Sequence, residues 1–131
     1  MTKDEILKLR AHLRRSFGSP AVTVTPNALE REAADVTLGE RKLGKIVVDD
    51  EDGDRSFSFA MPIPVDRATL QDYLRKLFDN DKLKIVARMK KNDSVELNNG
   101  DDFLGVISAD DPAGGSFTLE MAILDFDLED L

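Results

Sequence analysis

The sequence contains no cysteine, no tryptophan, one tyrosine and a single histidine, His12. Without cysteine the chain has no disulfide, no thiolate metal ligand and no cysteine nucleophile. A transition-metal site is not expected, because one histidine alone is too small a donor set. No apolar run approaches the roughly 20 residues of a membrane span, and the charged N-terminus lacks the apolar core of a signal peptide. These absences predict a cytoplasmic protein that needs no cofactor and binds no membrane.

Acidic residues outnumber basic ones. The 131 residues include 26 acidic and 18 basic ones, which gives a net charge of −8. Because an acidic surface repels phosphate, we do not expect nucleic-acid binding. The acids gather at 49–54, 101–102, 110–111 and 125–130, whereas Lys and Arg are frequent in the first 15 residues. This distribution suits solubility and contacts with a protein partner.

Two eight-residue stretches are near copies of each other. SFSFAMPI at 56–63 and SFTLEMAI at 116–123 both alternate large apolar residues with small or polar ones. A period of two over eight residues predicts half-buried strands. Because Pro62 and Pro64 cannot donate to a ladder, this end of the first strand is expected at an edge or outside the sheet.

The first half reads as one helix followed by four strands. Thr2 and Glu5 match a capping box and Gly18 suits a left-handed C-terminal position, which predicts a helix over residues 3–17. Strands are predicted over 21–25, 36–38, 43–49 and 56–63, with a hairpin at 50–54 around Gly53. Residues 27–34 are compatible with either a helical turn or a loop.

The second half repeats this order. Asp66 is the predicted N-cap of a second helix, and strands are expected over 83–89, 95–97, 103–109 and 116–123. The aligned pairs, at offsets of 59 to 61 residues, include Leu13 with Leu74, Phe17 with Phe78, Val36 with Val95, Leu38 with Leu97, Gly44 with Gly105 and Phe57 with Phe117. The two glycines predict a bulge or a close approach of another backbone, and the alternative is room for a ligand.

The duplication predicts the architecture. One unit has too little surface to cover its own sheet, so the two copies are expected to pack together. We predict a single compact α+β domain of two repeats, 1–65 and 66–131, each with one helix and about four antiparallel strands. The repeats should be related by a pseudo-two-fold axis, with the helices packed on a shared or facing sheet. Such a chain should be a monomer that mimics a homodimer.

The second half also resembles a known family. The segments that carry the resemblance are YLRKLF at 73–78, DSVE at 93–96, GDDFLG at 100–105 and MAILD at 121–125. In this combination they resemble a short alphaproteobacterial family catalogued as a domain of unknown function. The first half keeps an LRxxF and LGxI skeleton but has GERK at 39–42 in place of the acidic turn. The resemblance implies a degenerate tandem duplication, a small α+β domain and a bacterial source, and it implies no activity.

Repeated and clustered charges are the candidates for a binding site. Arg14 and Arg75 both fall near a helix C-terminus, where the dipole favours a cation and where each could pair with hairpin acids or contact an anion. Asp101 and Asp102 form an acidic turn that only the second half has. We predict these four as ligand- or partner-binding residues, and we predict no catalytic and no metal-binding residue.

Known catalytic and metal-binding patterns do not fit the chain. The DDEDGD stretch at 49–54 fails as a calcium loop, because Val48 and Phe59 stand where carboxylates are required. His12 is predicted on the polar side of the first helix, solvated or at the boundary. Phosphate loops and nucleophile elbows do not occur. An enzyme is therefore not the favoured class.

Three functions remain open. The favoured one is a non-catalytic adaptor, regulatory or other protein-interaction module, because the chain is acidic, duplicated and poor in catalytic groups. The second is a small-molecule binding protein or hydrolase, with a pocket between the repeats that uses Arg75, Asp101 and Asp102. The third is a secretion-chaperone-like protein, an analogy of size and fold class alone.

Overall fold

A computed structural model describes residues 1–50 and 54–129. The first-half elements are α1 (Lys3–Phe17), β1 (Val22–Pro26), β2 (Ala33–Leu38), β3 (Arg41–Asp49) and β4 (Ser56–Ile63). The second-half elements are a 3₁₀ turn (Arg67–Thr69), α2 (Leu70–Phe78), β5 (Leu83–Ala87), β6 (Ser94–Asn99), β7 (Asp102–Ala109), β8 (Phe117–Leu124) and a second 3₁₀ turn (Asp125–Leu128). The predicted hairpin conformation of Gly53 and the end of the acidic tail lie outside the described residues. No helix in the described ranges is long and apolar enough to cross a membrane.

The first helix begins and ends as its sequence predicts. Thr2 Oγ1 accepts a hydrogen bond from the Glu5 backbone N–H at 3.1 Å, and Glu5 Oε1 accepts one from the Thr2 N–H at 2.8 Å. Gly18 ends the helix with φ 61°. The capping box satisfies N–H groups that have no partner inside the helix, and glycine takes the left-handed conformation at low cost.

The second helix occupies the same place in its repeat as α1 does in the first, but it begins and ends with different capping residues. Asp66 accepts a hydrogen bond from the Thr69 N–H at 3.1 Å, which confirms its predicted capping role. A 3₁₀ turn precedes α2, and the helix ends at Asp79, whose φ of 51° lies in the left-handed region. Aspartate adopts this region at a higher cost than glycine.

One antiparallel sheet joins the two halves. Its strand order is β1-β2-β3-β4-β8-β7-β6-β5, so each half is a four-stranded meander and β4 pairs with β8. In that central pair Phe57 faces Ile123, Ile63 faces Phe117, and Ala60 faces Glu120. Ala60 and Glu120 are equivalent positions of the two halves, so the pseudo-two-fold axis passes between them. The predicted α+β fold with a pseudo-two-fold axis is confirmed, and the sheet is shared.

Both helices contribute to a single hydrophobic core on one face of the sheet. Phe17 of α1 stacks on Phe78 of α2 with ring centroids 4.3 Å apart and planes 10° apart. The rings of Phe59 and Phe17 are nearly perpendicular, at 77°, with their centroids 6.3 Å apart. The predicted alternation is confirmed, since every second residue of the two central strands is buried: Phe57, Phe59, Met61, Ile63, Phe117, Leu119, Met121 and Ile123. Stacked aromatic rings from both halves make the core common to the two repeats.

The alignment of the second strand was predicted wrongly by two residues. Val36 pairs with Gly44, and Leu97 pairs with Gly105, so Leu97 and not Val95 is the counterpart of Val36. A shift of two residues keeps every side chain on its face of the sheet, so the alternation could not detect the error. β2 begins at Ala33, and the preceding segment is a loop in which Asn27 Oδ1 accepts the N–H groups of residues 29 and 30.

The two strand glycines make the predicted close approach. A Cβ atom on Gly44 would lie 2.1 Å from the Ala60 carbonyl oxygen, and one on Gly105 would lie 2.5 Å from the Glu120 carbonyl oxygen. The opposing strands shift register at Val36/Thr37 and at Leu97/Asn98, which is the predicted irregularity. Backbone fills the space at both glycines, so the alternative of room for a ligand there is wrong.

The end of β4 lies at a local edge, as its prolines predict. β3 pairs with β4 only up to the Lys45–Ala60 pair, whereas the pairing of β8 with β4 continues to Ile63. Pro62 therefore has a strand neighbour on one side only, and its missing N–H leaves no central ladder bond unmade.

Candidate functional site

The two predicted arginines make equivalent backbone contacts. Arg14 Nε donates to the Val22 carbonyl oxygen at 2.6 Å, and Arg75 Nε donates to the Leu83 carbonyl oxygen at 2.7 Å. These carbonyls begin β1 and β5, the two outer strands of the sheet. The arginines tie each helix to the neighbouring edge strand and cover an acceptor that would otherwise attract another chain. Within the described ranges neither arginine makes an ion pair with the hairpin acids.

The acidic turn of the second half lies at the same end of the sheet as Arg75. Asp101 and Asp102 are exposed, and the Gly100 N–H donates to the Lys82 carbonyl oxygen at 2.9 Å beside the start of β5. No salt bridge among the described residues joins Arg75 to either aspartate. The structure therefore does not gather the four predicted residues around one cavity, and their role in binding stays a prediction.

Two clefts lie along the boundary between the halves. One, of about 450 Å³, is lined by Asp49, Asp54, Arg55, Ser56, Leu124, Asp125, Phe126 and Glu129. The other, of about 210 Å³, lies between β3 and α2. Neither is lined by Arg75, Asp101 or Asp102. The hypothesis of a pocket between the repeats built from those three residues therefore gains no support from these two clefts.

The first half contains an ion-pair cluster that the sequence analysis missed. Arg55 Nε donates to Glu5 Oε2 at 2.5 Å, and Arg55 Nη2 donates to Glu5 Oε1 and to Glu32 Oε2, both at 3.1 Å. The N-terminal ammonium of Met1 donates to Glu32 Oε1 at 2.8 Å. Arg55 Cζ also lies 5.6 Å from the ring centroid of Phe57. We call Met1, Glu5, Glu32 and Arg55 the Arg55 cluster.

Hydrogen bonds within the Arg55 cluster keep its groups charged. The bond from Arg55 is the main reason that the pKa of Glu5 lies below its usual value. The N-terminal ammonium, followed by Arg55, lowers the pKa of Glu32. The same bond to Glu5 raises the pKa of Arg55. A guanidinium that bonds two carboxylates is a charge-assisted arrangement with defined geometry.

The corresponding place in the second half is an open cleft. Asp93 is the counterpart of Glu32, because its carbonyl oxygen accepts the Ala109 N–H at 2.7 Å as that of Glu32 accepts the Val48 N–H at 3.0 Å. The two repeats align Asp66 with Glu5, although Glu5 lies in the first turn of α1 whereas Asp66 is the N-cap residue before the 3₁₀ turn. Gly115 stands where the first half has Arg55. The cleft has a volume of about 510 Å³. We call it the second-half cleft; its lining residues are Asp66, Arg67, Ala68, Asn92, Asp93, Ser94, Val95, Ala109, Asp111, Pro112, Ala113, Gly114 and Phe117.

The second-half cleft combines an apolar floor with an acidic rim. Val95 and Phe117 belong to the core, with 3% and 5% of their surface exposed. Asp66 uses one carboxylate oxygen, Oδ1, to cap the helix, and its Oδ2 has no hydrogen bond among the described residues. Asp93 is exposed, and its carboxylate forms no salt bridge within the described ranges. The cleft thus offers carboxylate oxygens above an aromatic and aliphatic surface.

His12 is half-buried, as predicted for a boundary residue. Its Nδ1 is buried without a hydrogen-bond partner in the described structure, and Ser16 Oγ lies 3.5 Å from Nε2. Burial lowers the pKa of His12, while the nearby Asp127 carboxylate opposes that shift. Within residues 1–50 and 54–129 no group of three or more His, Asp or Glu side chains is placed to hold a metal ion.

The chain is a duplicated α+β domain, and both copies of this surface are concave, with about 680 Å³ beside the Arg55 cluster and about 510 Å³ in the second-half cleft. The two copies differ in that, among the described residues, only the first carries an arginine bonded to its two carboxylates. Residues 5–66 and again residues 66–127 match the family described as "Protein of unknown function (DUF3126)". The chain therefore belongs to that family, and the two matches confirm the tandem duplication. The first half is matched too, although its sequence departs from the pattern of the second. Comparisons with curated proteins and with solved structures find no match.

One feature of the sequence could have predicted this site, namely that arginine at position 55 aligns with glycine at position 115. Aligned carboxylates at the start of both helices and of both second strands predict similar surroundings. Arg55 precedes the Ser-Phe pair that begins the fourth strand of the first half, and Gly115 precedes the same pair in the second half. This difference marks the copy of the site that lacks an arginine. The two-residue misalignment of β2 hid this, because it did not place Glu32 opposite Asp93.

Proposed function

We propose that this protein is a non-catalytic interaction module, an adaptor or regulatory subunit, that binds a protein partner through the second-half cleft. The observation that supports it is that Arg55 bonds the two carboxylates of this surface in one half, while the equivalent carboxylates of the other half have no basic partner among the described residues. The cleft has unpaired carboxylate oxygens at its rim and buried apolar side chains beneath them. Apolar centres with polar rims are common in protein interfaces.

The described carboxyl groups with shifted pKa values favour ionic contacts over proton transfer, and none of them lines the second-half cleft. The carboxyl groups with shifted pKa values, Glu5, Glu32, Asp35 and Asp110, are all shifted downward by hydrogen bonds and ion pairs. A general acid at neutral pH needs a raised pKa. These groups therefore offer fixed negative charge. Together with the acidic composition and the family resemblance, they favour a cytoplasmic bacterial binding protein.

The oligomeric state is part of the proposal. The β4–β8 pairing already joins two equivalent units within one chain, so no second copy is needed to complete the sheet. We expect a monomer that reproduces a dimer. Light scattering that reports an obligate dimer would contradict this expectation.

Blocking the cleft tests the interaction function. Ala113 is an exposed lining residue, so Ala113→Trp should fill the cleft with an indole while the fold is retained. Leu29→Trp is the matched control, because Leu29 is 95% exposed in the first half and lies outside the cleft. In affinity capture from native lysate, a stoichiometric partner should bind the wild type and Leu29→Trp but not Ala113→Trp. A partner that Ala113→Trp retains in full, or no partner for the wild type, would contradict the proposal.

A small-molecule ligand is the second candidate. The volume of about 510 Å³ lies within the range of ligand pockets. Native mass spectrometry of protein purified from its source should then show a bound small molecule that Ala113→Trp lacks.

A further inference from the structure

The first half shows what its copy of the surface holds. Arg55 bonds Glu5 and Glu32 with its guanidinium and lies over the ring of Phe57. The site is therefore built from two carboxylates and one aromatic face. Such a combination suits a guanidinium, which forms planar bidentate bonds and packs on aromatic rings.

Each of these three partners has a counterpart in the second-half cleft. Asp66 replaces Glu5, Asp93 replaces Glu32, and Phe117 is the counterpart of Phe57; all three line the cleft. The arginine is missing, since Gly115 occupies its place, and the second half also lacks the ammonium that bonds Glu32 in the first half. Aspartate is one methylene shorter than glutamate, so the carboxylates leave more room between them.

We propose that the second-half cleft binds an arginine side chain of a protein partner, with its guanidinium between Asp66 and Asp93 and its plane over Phe117. This inference rests on the proposed function and specifies the partner's chemistry. The apolar floor of Val95 and Ala109 suits the aliphatic part of an arginine that enters from outside. The partner thus supplies in trans the group that Arg55 supplies within the chain.

The remaining charges of the cleft agree with a cation rather than an anion. Asp111 adds a third carboxylate to the rim, and its Oδ1 accepts the Gly114 N–H at 3.0 Å. Arg67 is the one basic residue among the lining positions, and it makes no salt bridge with Asp66 or Asp93 in the described structure. A bound phosphate or carboxylate would face three carboxylates and one guanidinium.

A peptide titration tests the inference directly. Acetyl-Gly-Arg-Gly-amide should shift the backbone NMR signals of cleft residues such as Ser94 and Phe117, with a dissociation constant of about 1 mM, as expected for one anchoring side chain. The isosteric citrulline peptide, which lacks the charge, should bind at least about 5-fold more weakly. N-acetyl-arginine should also bind more weakly than the peptide, because the acidic rim repels its carboxylate, which no ammonium balances.

Four variants assign the binding to the named groups. Asp66→Asn keeps the helix cap, since asparagine caps as well as aspartate, and Asp93→Asn removes the second charge. Each should weaken peptide binding by about 5-fold or more. Gly115→Arg should abolish binding, because the new side chain occupies the cleft. Asp101→Asn is the matched control, with the same loss of charge on an exposed turn outside the cleft, and should bind within about 2-fold of the wild type.

Several outcomes would overturn the inference. No saturable shift of cleft signals up to about 10 mM peptide would do so. Equal binding of the citrulline peptide, or unchanged binding by Asp66→Asn and Asp93→Asn, would also do so. N-acetyl-arginine that binds at least as tightly as the peptide would overturn the assignment to a protein partner. If Ala113→Trp loses its captured partner while the arginine peptide does not bind, the interaction function stands and only the arginine assignment falls.

Discussion

In the first half Arg55 lies between Glu5 and Glu32, whereas in the second half Asp66 and Asp93 border an open cleft beside Gly115. The two halves otherwise build the same helix and four strands in the same register. Among its described residues the second half has this fold with no salt bridge. The comparison separates what the unit needs in order to fold from what one copy leaves available for binding.

Both halves contain a strand glycine that lies close to the backbone of the neighbouring strand. Substitution of these glycines should cause the largest changes in the free energy of unfolding. Gly44→Ala should lower the free energy of unfolding by about 3 kcal/mol and Gly105→Ala by about 2 kcal/mol, because each new methyl meets a backbone carbonyl that cannot move aside easily. The order follows the two distances, 2.1 and 2.5 Å. Urea unfolding would measure both.

Gly115→Ala is the control for these glycine variants. No atom lies within 4 Å of a Cβ at Gly115, so its stability should stay within about 0.5 kcal/mol of the wild type. A Gly44→Ala variant as stable as this control would show that β3 does not approach β4 so closely.

Loss of the Arg55 cluster should have the next largest effect. Arg55→Gln should cost about 1 kcal/mol at neutral pH, because a partly exposed network of ion pairs is worth little more. Glu5 has a lowered pKa in the folded state, so its contribution is present above the usual value of 4.5 and is lost as the pH falls through the lowered pKa. The stabilities of Arg55→Gln and of the wild type should therefore converge in acid.

Arg31→Gln provides the matched loss of one positive charge. Its side chain makes no ion pair among the described residues, so the variant should unfold like the wild type at every pH. A loss equal to that of Arg55→Gln would assign the effect to net charge instead of to the cluster.

The two helix C-termini should respond in opposite directions to substitution. Asp79→Gly should raise the free energy of unfolding by about 0.5 kcal/mol, because glycine adopts the left-handed conformation without strain. Gly18→Ala should lower it by about 1 kcal/mol, and its Cβ would also lie 2.7 Å from Asn80 Nδ2. Thermal unfolding of both variants would show whether the signs differ; a destabilised Asp79→Gly would mean that the aspartate side chain contributes more than its strain costs.

His12 should give the smallest effect. Burial lowers its pKa below 6.5, so the folded state disfavours the protonated form. Stability should therefore fall as the pH drops below 6.5 toward the lowered pKa. Arg15 adds to the shift, and Asp127 opposes it. The variant His12→Asn should lack this pH dependence in unfolding experiments between neutral and mildly acidic pH; a wild type that gains stability over that range would contradict the prediction.

Local patterns predicted most of the fold. The capping box of Thr2 and Glu5, the left-handed Gly18 and the alternation of 56–63 each depend on neighbours in sequence, and all are confirmed. The alignment of β2 with β6 was wrong by two residues, because Ala33 and Ala34 carry little strand signal and a two-residue shift preserves the buried face.

The candidate site could not be predicted from local patterns, because its residues are far apart in the sequence. Arg55 meets Glu5 across 50 residues of sequence, and only the strand register shows that Glu32 and Asp93 correspond. Charges on a surface carry no periodic pattern that would reveal their partners. The predicted candidates Arg14 and Arg75 were recognisable as a repeated pair, and the structure places both on edge-strand carbonyls.

The crystal structure of Gly115→Arg is the most direct test of the equivalence between the two surfaces. Gly115 has no positive φ and no neighbour within 4 Å of a Cβ, so the backbone can accept the new side chain. If the second-half cleft is the copy of the Arg55 site that lacks an arginine, the new guanidinium should lie about 3 Å from the carboxylates of Asp66 and Asp93, above Phe117. A guanidinium that turns to solvent, with the cleft still open, would contradict that claim.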